Sequence, residues 1–195
     1  MHLALTGKQT KLAVSRHQHN HFTPRFRMTT NATRLQNGAV DVSGQSDAAK
    51  GLALARLTIG SMFIWVFFEN LGKHLYTPAG YAGLINYYIK SGHAPAIWKM
   101  VMGLAASHAA MAAPMQGMTE ATLGILLLIG LLTRPAAFVA FLFLGSLWVS
   151  EWGTAWIWEL LVPVMVSLAL AIGRGGRSWG MDAFLARKSP TSLWW

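Results

Sequence analysis

The chain has 195 residues, of which 53% are hydrophobic and only 12% are charged, and its mean hydropathy is +0.38. A soluble domain carries about twice that charged fraction, so the composition and the long apolar blocks exclude an ordinary soluble domain and indicate one bundle of membrane helices. The net charge of +9 does not indicate nucleic-acid binding, because the Lys and Arg residues lie outside the apolar blocks, as cytoplasmic loops of membrane proteins require.

The chain contains no cysteine. This excludes disulfides, thiol catalysis, cysteine-ligated iron–sulfur clusters and the Cys-x-x-Cys-His signature of haem attachment. The glycine motif of a Rossmann nucleotide-binding fold, which a flavin enzyme would carry, is also missing from the sequence.

Residues 1–50 are predicted to form a disordered basic tail, since they are polar and carry seven Lys and Arg against two Asp. No apolar stretch follows the early charges, which argues against a secretory signal peptide, and Met28 is an alternative start. His17, His19 and His21 could hold a metal, but a solvated tail is the favoured interpretation and no metal site is predicted. The other two predicted parts are a membrane domain over 51–187 and a C-terminal tail over 188–195.

Apolar blocks predict four membrane-spanning helices. The predicted spans are 51–72, 114–133, 136–153 and 155–173. Pro114 is interpreted as a first-turn residue, Arg134–Pro135 as the end of the second span, and Pro163 as a kink in the fourth. The fold class is therefore all-α, an integral membrane four-helix bundle.

Three segments are predicted to lie outside these spans. Residues 81–90 carry apolar side chains at helical spacing and are predicted to lie along the outer membrane surface. Residues 96–113, dominated by Ala, stay open between a helix that is packed outside or half-inserted and a fifth span. "WGMDAFLARK" (179–188) is predicted to be a short interfacial helix anchored by Trp179.

The distribution of Lys and Arg predicts that both termini are cytoplasmic. In that orientation the cytoplasmic side receives the basic segments at both ends together with Arg56 and Arg134, whereas the outside receives only Lys73, Lys90 and Lys99. A fifth span would place the basic termini on opposite faces of the membrane, which argues against it.

Each span then carries one glutamate toward the outer side, namely Glu69, Glu120, Glu151 and Glu159. A charged residue near the centre of a membrane helix costs roughly 2.5–3.5 kcal/mol. The eight Leu and Ile residues around Glu120 contribute about 4 kcal/mol in return, at roughly 0.5 kcal/mol each, so the helix inserts despite its carboxylate.

Glu69 and Glu151 are interpreted as end residues, and Glu120 and Glu159 as functional or bundle-specifying. A structural salt bridge of Glu120 with Lys73 or His74 is the alternative.

Tryptophans gather at the same level of the bundle as the glutamates. The default explanation for such residues is an interfacial aromatic belt. A flat quinone-like ring would also fit a cleft between Trp148, Trp152 and Trp156.

Three segments resemble the DoxX/DoxD family of membrane proteins. "RLTIGSMFIWVFFENLGKHL" resembles the first-helix signature, "TEATLGILLLIGLLTRPAA" the second helix and "GRGGRSWGMDAFL" the closing segment. The residues that carry the resemblance are Arg56, Gly60, Gly72, Lys73, Leu75, Glu120, Gly124, Gly130, Thr133, Arg134, Gly175, Trp179, Gly180 and Asp182. It covers about residues 50–187, and the long outer segment 77–113 is similar to the DoxD branch, the quinone-reducing thiosulfate dehydrogenase subunit.

The resemblance implies a multi-pass protein of the prokaryotic plasma membrane that oxidises thiosulfate to tetrathionate and passes two electrons to quinone. Glu120 and Glu159 would then be catalytic, in quinone protonation. Lys73 and His74, with Glu69 beside them, would bind the anion. Trp148, Trp152 and Trp156 would bind the quinone. The implied partners are membrane lipid and a second redox subunit, with a homo-oligomer as a further option.

Two other functions are open at this point. A non-catalytic anchor or scaffold of a redox complex would carry the same motifs. A small transporter or proton-conducting protein would also explain carboxylates inside the membrane. The transporter function is disfavoured, because the inner half of the predicted bundle offers only Thr58 and Ser167 for a polar path across the membrane.

Overall fold

The computed structural model describes residues 29–189, 191–192 and 194, with side chains from Asp47 onward. The chain divides into two compact units, Met1–Val40 and Asp41–Trp195. In the first unit the described residues belong to the beginning of one helix. His17, His19, His21 and most of the predicted basic tail lie outside the described residues, and the disorder of that tail stays a prediction.

The described part of the chain is all α-helix, turns and one short 3-10 helix at Gly175–Arg177. The α-helices are α1 (Thr29–Gly72), α2 (Pro78–Ser91), α3 (Ala96–Ser107), α4 (Ala109–Ile129), α5 (Thr133–Ser150), α6 (Ile157–Ile172) and α7 (Asp182–Lys188). Three of them are long and apolar enough to cross a membrane, namely α4, α5 and the Asp47–Gly72 part of α1. The shorter α6 is also apolar. The prediction of an all-α membrane protein is therefore confirmed.

The predicted start of the second span at Pro114 is wrong, because α4 begins five residues earlier, at Ala109. Pro114 lies inside the helix, where it removes one backbone hydrogen bond without ending the helix. The Ala-rich segment 96–113 is divided at His108 between α3 and the first turn of α4. Twelve residues rise only about 18 Å, so α3 is too short to cross the bilayer and does not support a fifth span.

The boundary between the second and third spans also differs from the prediction. Helix α4 ends at Ile129, because Gly130 adopts a left-handed conformation with φ 67° and its N–H donates to the carbonyl of Leu126. Arg134 and Pro135 belong to the first turn of α5, where a proline needs no hydrogen-bond partner for its nitrogen. Helix α5 ends at Ser150, before the predicted end of the third span at 153, and α6 covers Ile157–Ile172 rather than the predicted 155–173.

The bundle core lies between α1, α4, α5 and α6. Its fully or nearly fully buried apolar residues are Ile59, Phe63, Leu123, Leu127, Ala136, Ala137, Ala140, Leu144, Val164 and Leu170. Glycines let α1 and α4 approach closely, since a Cβ atom on Gly60 would lie 2.9 Å from the backbone nitrogen of Leu128. Such small-residue contacts are a common means of packing helices in a membrane.

A second core joins α2 and α3 to the beginning of α4. It is made by Tyr81, Ile85, Ala94, Met102, Ala109 and Ala113. The turn between α2 and α3 contacts the end of α5, where the N–H of His93 donates to the carbonyl of Trp152 at 2.6 Å and the indole of Trp98 donates to Ser150 Oγ at 2.9 Å. Helices α2 and α3 therefore cover one end of the bundle.

The opposite end is fixed by a buried arginine and a buried aspartate. Arg56, with no exposed surface, donates to the carbonyls of Leu127 and Leu128 at 2.6 and 3.0 Å and to that of Trp179 at 2.9 Å. The two leucine carbonyls are in the last turn of α4, where helix carbonyls have no partner within the helix. Arg56 therefore joins α1, α4 and the closing segment.

Asp182 caps the N-terminus of α5. Its two carboxylate oxygens accept hydrogen bonds from the backbone N–H groups of Leu132 and Thr133, at 2.8 and 2.9 Å. These are donors at the N-terminus of α5 that the helix itself leaves unpaired. The segment predicted to be a mere interfacial tail thus caps a membrane helix.

Replacing Arg56 by Met should destabilise the protein by about 3 kcal/mol, because buried carbonyls and Asp182 lose a charged partner. The exposed Lys188→Met is the matched control, with an expected change below about 0.5 kcal/mol. Thermal unfolding of both variants in detergent or lipid discs measures the difference. Equal unfolding temperatures would contradict the role given to Arg56.

Candidate functional site

Glu120 is buried between α1 and α4, with 1% of its surface exposed. Its Oε2 atom accepts a hydrogen bond from the Tyr76 hydroxyl and one from Asn70 Nδ2 at 3.2 Å. Its Oε1 atom accepts one from Gln116 Nε2 at 2.9 Å. These partners are all neutral, so the structure replaces the predicted salt bridge to Lys73 or His74 with a set of polar donors. Such bonds satisfy a buried carboxylate without neutralising it.

Each donor reaches Glu120 for a local reason. Gln116 is four residues earlier on α4 and therefore lies on the same helix face. Asn70 is in the last turn of α1, and Tyr76 is in the turn between α1 and α2. The Tyr76 ring stacks on Phe67 with centroids 5.5 Å apart and lies against Gly117, where a Cβ atom would be 3.1 Å from the ring.

The Tyr76 hydroxyl remains a donor at neutral pH. Burial, and then the hydrogen bond to the Glu120 carboxylate, raise the pKa of Tyr76 above its ordinary value. A phenol with a raised pKa keeps its proton, and so it can hold the carboxylate without competing for the negative charge.

Three glutamates meet in one cavity, which we call the glutamate cavity. It has a volume of about 280 Å³, and Glu120, Glu151 and Glu159 line it together with Asn70 and Gln116. The three carboxylates come from α4, the residue after α5 and the first turn of α6. The remaining walls are mostly apolar residues of α1, α2 and α5. Glu120 and Glu159, predicted as the catalytic pair, are therefore brought to the same space.

Glu69 is the exception among the four glutamates. It is exposed, and its Oε1 atom accepts a hydrogen bond from Lys73 Nζ at 2.6 Å in an i,i+4 ion pair on the surface of α1. Its neighbour Asn70 points into the bundle instead. The structure does not bring Glu69 to the glutamate cavity.

Glu151 is half-buried and accepts a hydrogen bond from the Tyr88 hydroxyl at 3.0 Å. Burial raises the pKa of Glu151, and the negative charge of Glu159 raises it further, while the hydrogen bond from Tyr88 opposes them. The pKa of Tyr88 is raised by burial and by Glu151. Glu151 therefore ionises at a higher pH than a free glutamate.

A second cavity lies beside the first, and we call it the tryptophan cavity. Its volume is about 460 Å³, and its walls include all three predicted quinone-binding residues, Trp148, Trp152 and Trp156, together with Glu151. The rings of Trp148 and Trp152 are stacked, with centroids 6.1 Å apart and planes within 5°. Both cavities share Glu151 and Leu160.

Lys73 and His74 lie on the exposed turn after α1. Lys73 is paired with Glu69. His74 has φ 56°, and its carbonyl accepts hydrogen bonds from the backbone and side chain of Thr77, at 3.1 and 2.7 Å. The predicted anion-binding residues are thus near the same end of the bundle as Glu120 and outside the glutamate cavity.

Sequence reasoning missed four polar residues of the site, namely Asn70, Tyr76, Tyr88 and Gln116. Gln116 could have been found from its i,i+4 spacing to Glu120. Tyr88 belongs to the helical apolar pattern of residues 81–90, and that pattern gives no sign of a polar contact. Tyr76 and Asn70 carry no local signal, because their contacts with Glu120 arise from the docking of the chain after α1.

The described residues contain no group of three or more His, Asp or Glu side chains that could hold a metal ion.

A protein-family model described as "TQO small subunit DoxD" matches residues 52–194, about three quarters of the chain. The matched region contains every residue that lines the two cavities. Comparison with curated proteins returned no match, and comparison with solved structures returned none.

Replacing Tyr76 by Phe should destabilise the protein by about 1–3 kcal/mol, since the buried Glu120 loses one of its three hydrogen-bond donors. Tyr87→Phe is the matched control, because Tyr87 is 54% exposed. Thermal unfolding provides the measurement. In the Glu120→Gln background the Tyr76→Phe change should cost less, and an equal cost in both backgrounds would show that the two side chains do not interact.

Proposed function

The chain belongs to the DoxD family, and on the geometry of its two cavities we propose that it is the membrane subunit of a thiosulfate:quinone oxidoreductase. The observation that carries the proposal is the convergence of Glu120, Glu151 and Glu159 beside a cavity walled by three tryptophans. A quinone acceptor needs a flat apolar cleft and a supply of protons, and these two cavities provide such features side by side.

The balanced reaction defines what the protein must supply. Two thiosulfate ions form tetrathionate and release two electrons, and quinone takes up these two electrons with two protons to form quinol. A site that reduces quinone must therefore deliver two protons to the quinone oxygens. Glutamate side chains are suitable proton carriers when they are partly buried.

The tryptophan cavity is the proposed quinone site. Aromatic rings stack with planar ligands, and Trp148, Trp152 and Trp156 supply such faces around about 460 Å³. Trp156 is 75% exposed, so the cavity is open to a ligand that arrives through the membrane interface. The quinone would accept electrons, and the chain's own residues would orient it and supply its protons.

The glutamate cavity is the proposed proton reservoir. Glu120 accepts hydrogen bonds from three neutral donors, an arrangement that fixes the position of its carboxyl group at the cavity wall. Glu159 is exposed in the first turn of α6 and lines the same cavity, so it can exchange protons with water. We assign to Glu120 and Glu159 the uptake and holding of protons.

The anion is assigned to the outer surface. Three carboxylates make the glutamate cavity repulsive to a dianion such as thiosulfate. Lys73 offers positive charge at the exposed turn beside His74, and Glu69 reduces the field of Lys73 through their ion pair. We infer that Lys73 and His74 attract thiosulfate, and that a partner redox subunit forms the rest of the thiosulfate site.

The cellular placement follows from the same proposal. The end of the bundle covered by α2 and α3 faces the outside of a prokaryotic plasma membrane, and both termini are cytoplasmic. The basic residues near Arg56, Arg134 and the closing segment support this orientation.

Replacing Glu120 by Gln should reduce thiosulfate-dependent quinone reduction about 100-fold, because a buried proton carrier is lost. Asp47→Asn removes an exposed carboxylate of the same helix bundle and should leave the rate unchanged. The measurement is quinone reduction by membranes with and without the protein, on addition of thiosulfate. An unaltered rate in the folded Glu120→Gln variant would remove the proposed role.

Lys73→Ala and Glu69→Gln should change the KM for thiosulfate in opposite directions. Loss of Lys73 weakens the attraction and raises KM, whereas loss of Glu69 frees the lysine charge and lowers KM. Each effect should be about twofold to tenfold at low ionic strength and should fade at about 0.5 M salt, because exposed charges are screened. Changes in the same direction would contradict an electrostatic role for this pair.

A further inference from the structure

Glu151 occupies the wall between the glutamate cavity and the tryptophan cavity. We propose that Glu151 is the catalytic residue that carries protons from the glutamate cavity to the quinone oxygen, with Tyr88 as its positioning residue. The inference rests on the proposed function and adds the last step of its proton path.

The position of the carboxyl groups requires such a carrier. Glu120 and Glu159 line the glutamate cavity, and Glu151 lines both that cavity and the one with Trp148 and Trp152. A proton held on Glu120 or Glu159 must therefore pass the shared wall before it reaches a ring between the tryptophans. Glu151 is the titratable side chain that forms this wall in the described part of the chain.

The backbone of Glu151 is fixed by hydrogen bonds, and its side chain borders both the glutamate cavity and the tryptophan cavity. Its N–H donates to the carbonyl of Leu147 at 2.8 Å, and its own carbonyl accepts from the backbone and the hydroxyl of Thr154 at 2.9 and 2.8 Å. The C-terminus of α5 is thereby fixed, and rotation about the side-chain bonds alone can turn the carboxyl group from one cavity toward the other.

Tyr88 restricts this movement. Its hydroxyl donates to the Oε1 atom of Glu151, which leaves Oε2 as the oxygen that receives and releases a proton. Tyr88 comes from α2, so the helix that covers this end of the bundle also positions the carrier.

The charges around Glu151 favour its protonated form. Glu159 of α6 and Glu120 of α4 share its cavity, and Tyr88 is the partner from α2. The basic groups on the α2–α3 side include His93, whose ring lies against Gly153, Lys99, which donates to the carbonyl of Gly92 at 2.9 Å, and the exposed Lys90 at the end of α2. Burial, the first cause, and the charge of Glu159 raise the pKa of Glu151, so this carboxyl is a proton donor closer to neutral pH than a free glutamate.

The transfer balances in two stages. First, a proton moves from the Glu120 carboxyl to the Glu151 carboxylate, Glu120 regains a proton from the Glu159 carboxyl, and the exposed Glu159 takes up a proton from the aqueous phase. The proton then moves from the Glu151 carboxyl to an oxygen of the quinone, which leaves Glu151 as a carboxylate. Two such cycles supply the two protons, and two thiosulfate ions supply the two electrons.

The test measures reduction of decylubiquinone by the full-length protein in its membrane as a function of pH. Glu151→Gln should lower kcat about 100-fold while KM for the quinone changes less than about twofold, since the amide holds no transferable proton. Glu151→Asp should restore part of the rate. Asp47→Asn is the control that should behave as the wild type.

The pH profile provides a readout that a structural role would not change. A donor must be protonated, so the wild-type rate should fall as pH rises through the raised pKa of Glu151. Tyr88→Phe removes the bond that stabilises the carboxylate, so the pKa should rise and the fall should move to higher pH. The residual rate of Glu151→Gln should lack this fall.

The outcomes separate this inference from the proposed function. A wild-type protein without thiosulfate-dependent quinone reduction would overturn both. An active wild type with an equally active Glu151→Gln variant and the same pH profile would overturn the role of Glu151 alone. If Glu151→Gln fails to fold, the Tyr88→Phe profile decides, and an unshifted profile would overturn the inference.

Discussion

A carboxylate between membrane helices is stable only if the protein supplies the hydrogen bonds that water would otherwise make. Glu120 meets this requirement with Tyr76, Asn70 and Gln116, which come from the turn after α1, from α1 and from α4. The end of α1, the following turn and the outer half of α4 are consequently fixed relative to one another. The glutamate cavity exists because these segments are held at that spacing around a polar group.

At the opposite end of the bundle, buried charged side chains bind backbone groups that the helices leave without partners. Arg56 satisfies carbonyls at the end of α4, and Asp182 satisfies amides at the start of α5. Arg56 and Asn70 are fourteen residues apart on α1, which is about 21 Å along the helix. The arginine therefore stabilises the fold at one end of the bundle, at a distance from the glutamate cavity.

Much of this arrangement could be predicted from the sequence, and the failures have physical causes. Apolar blocks and charge asymmetry located the helices, and span direction predicted that glutamates gather at one end, as Glu120, Glu151 and Glu159 do. The expectation that Glu69 joins the other glutamates is wrong, because successive residues of a helix differ in direction by about 100°. Asn70 therefore faces the bundle and Glu69 faces outward. The helix boundaries predicted from Pro114 and Pro135 are wrong, since proline is tolerated both within a membrane helix and in its first turn. The roles of Tyr76 and Tyr88 depend on docking of the α1–α2 turn and of α2, which no local pattern encodes.

Under the proposed function there is a division of roles between the two cavities, in which the tryptophans hold a planar acceptor and the glutamates hold protons. Infrared difference spectroscopy of the full-length protein in lipid, recorded between oxidised and reduced quinone, tests this division most directly. The account predicts a change in the carbonyl band of protonated carboxylic acids that is altered in Glu120→Gln and lost in Glu151→Gln. A difference spectrum without a carboxylic-acid signal, or with one that neither substitution alters, would contradict it.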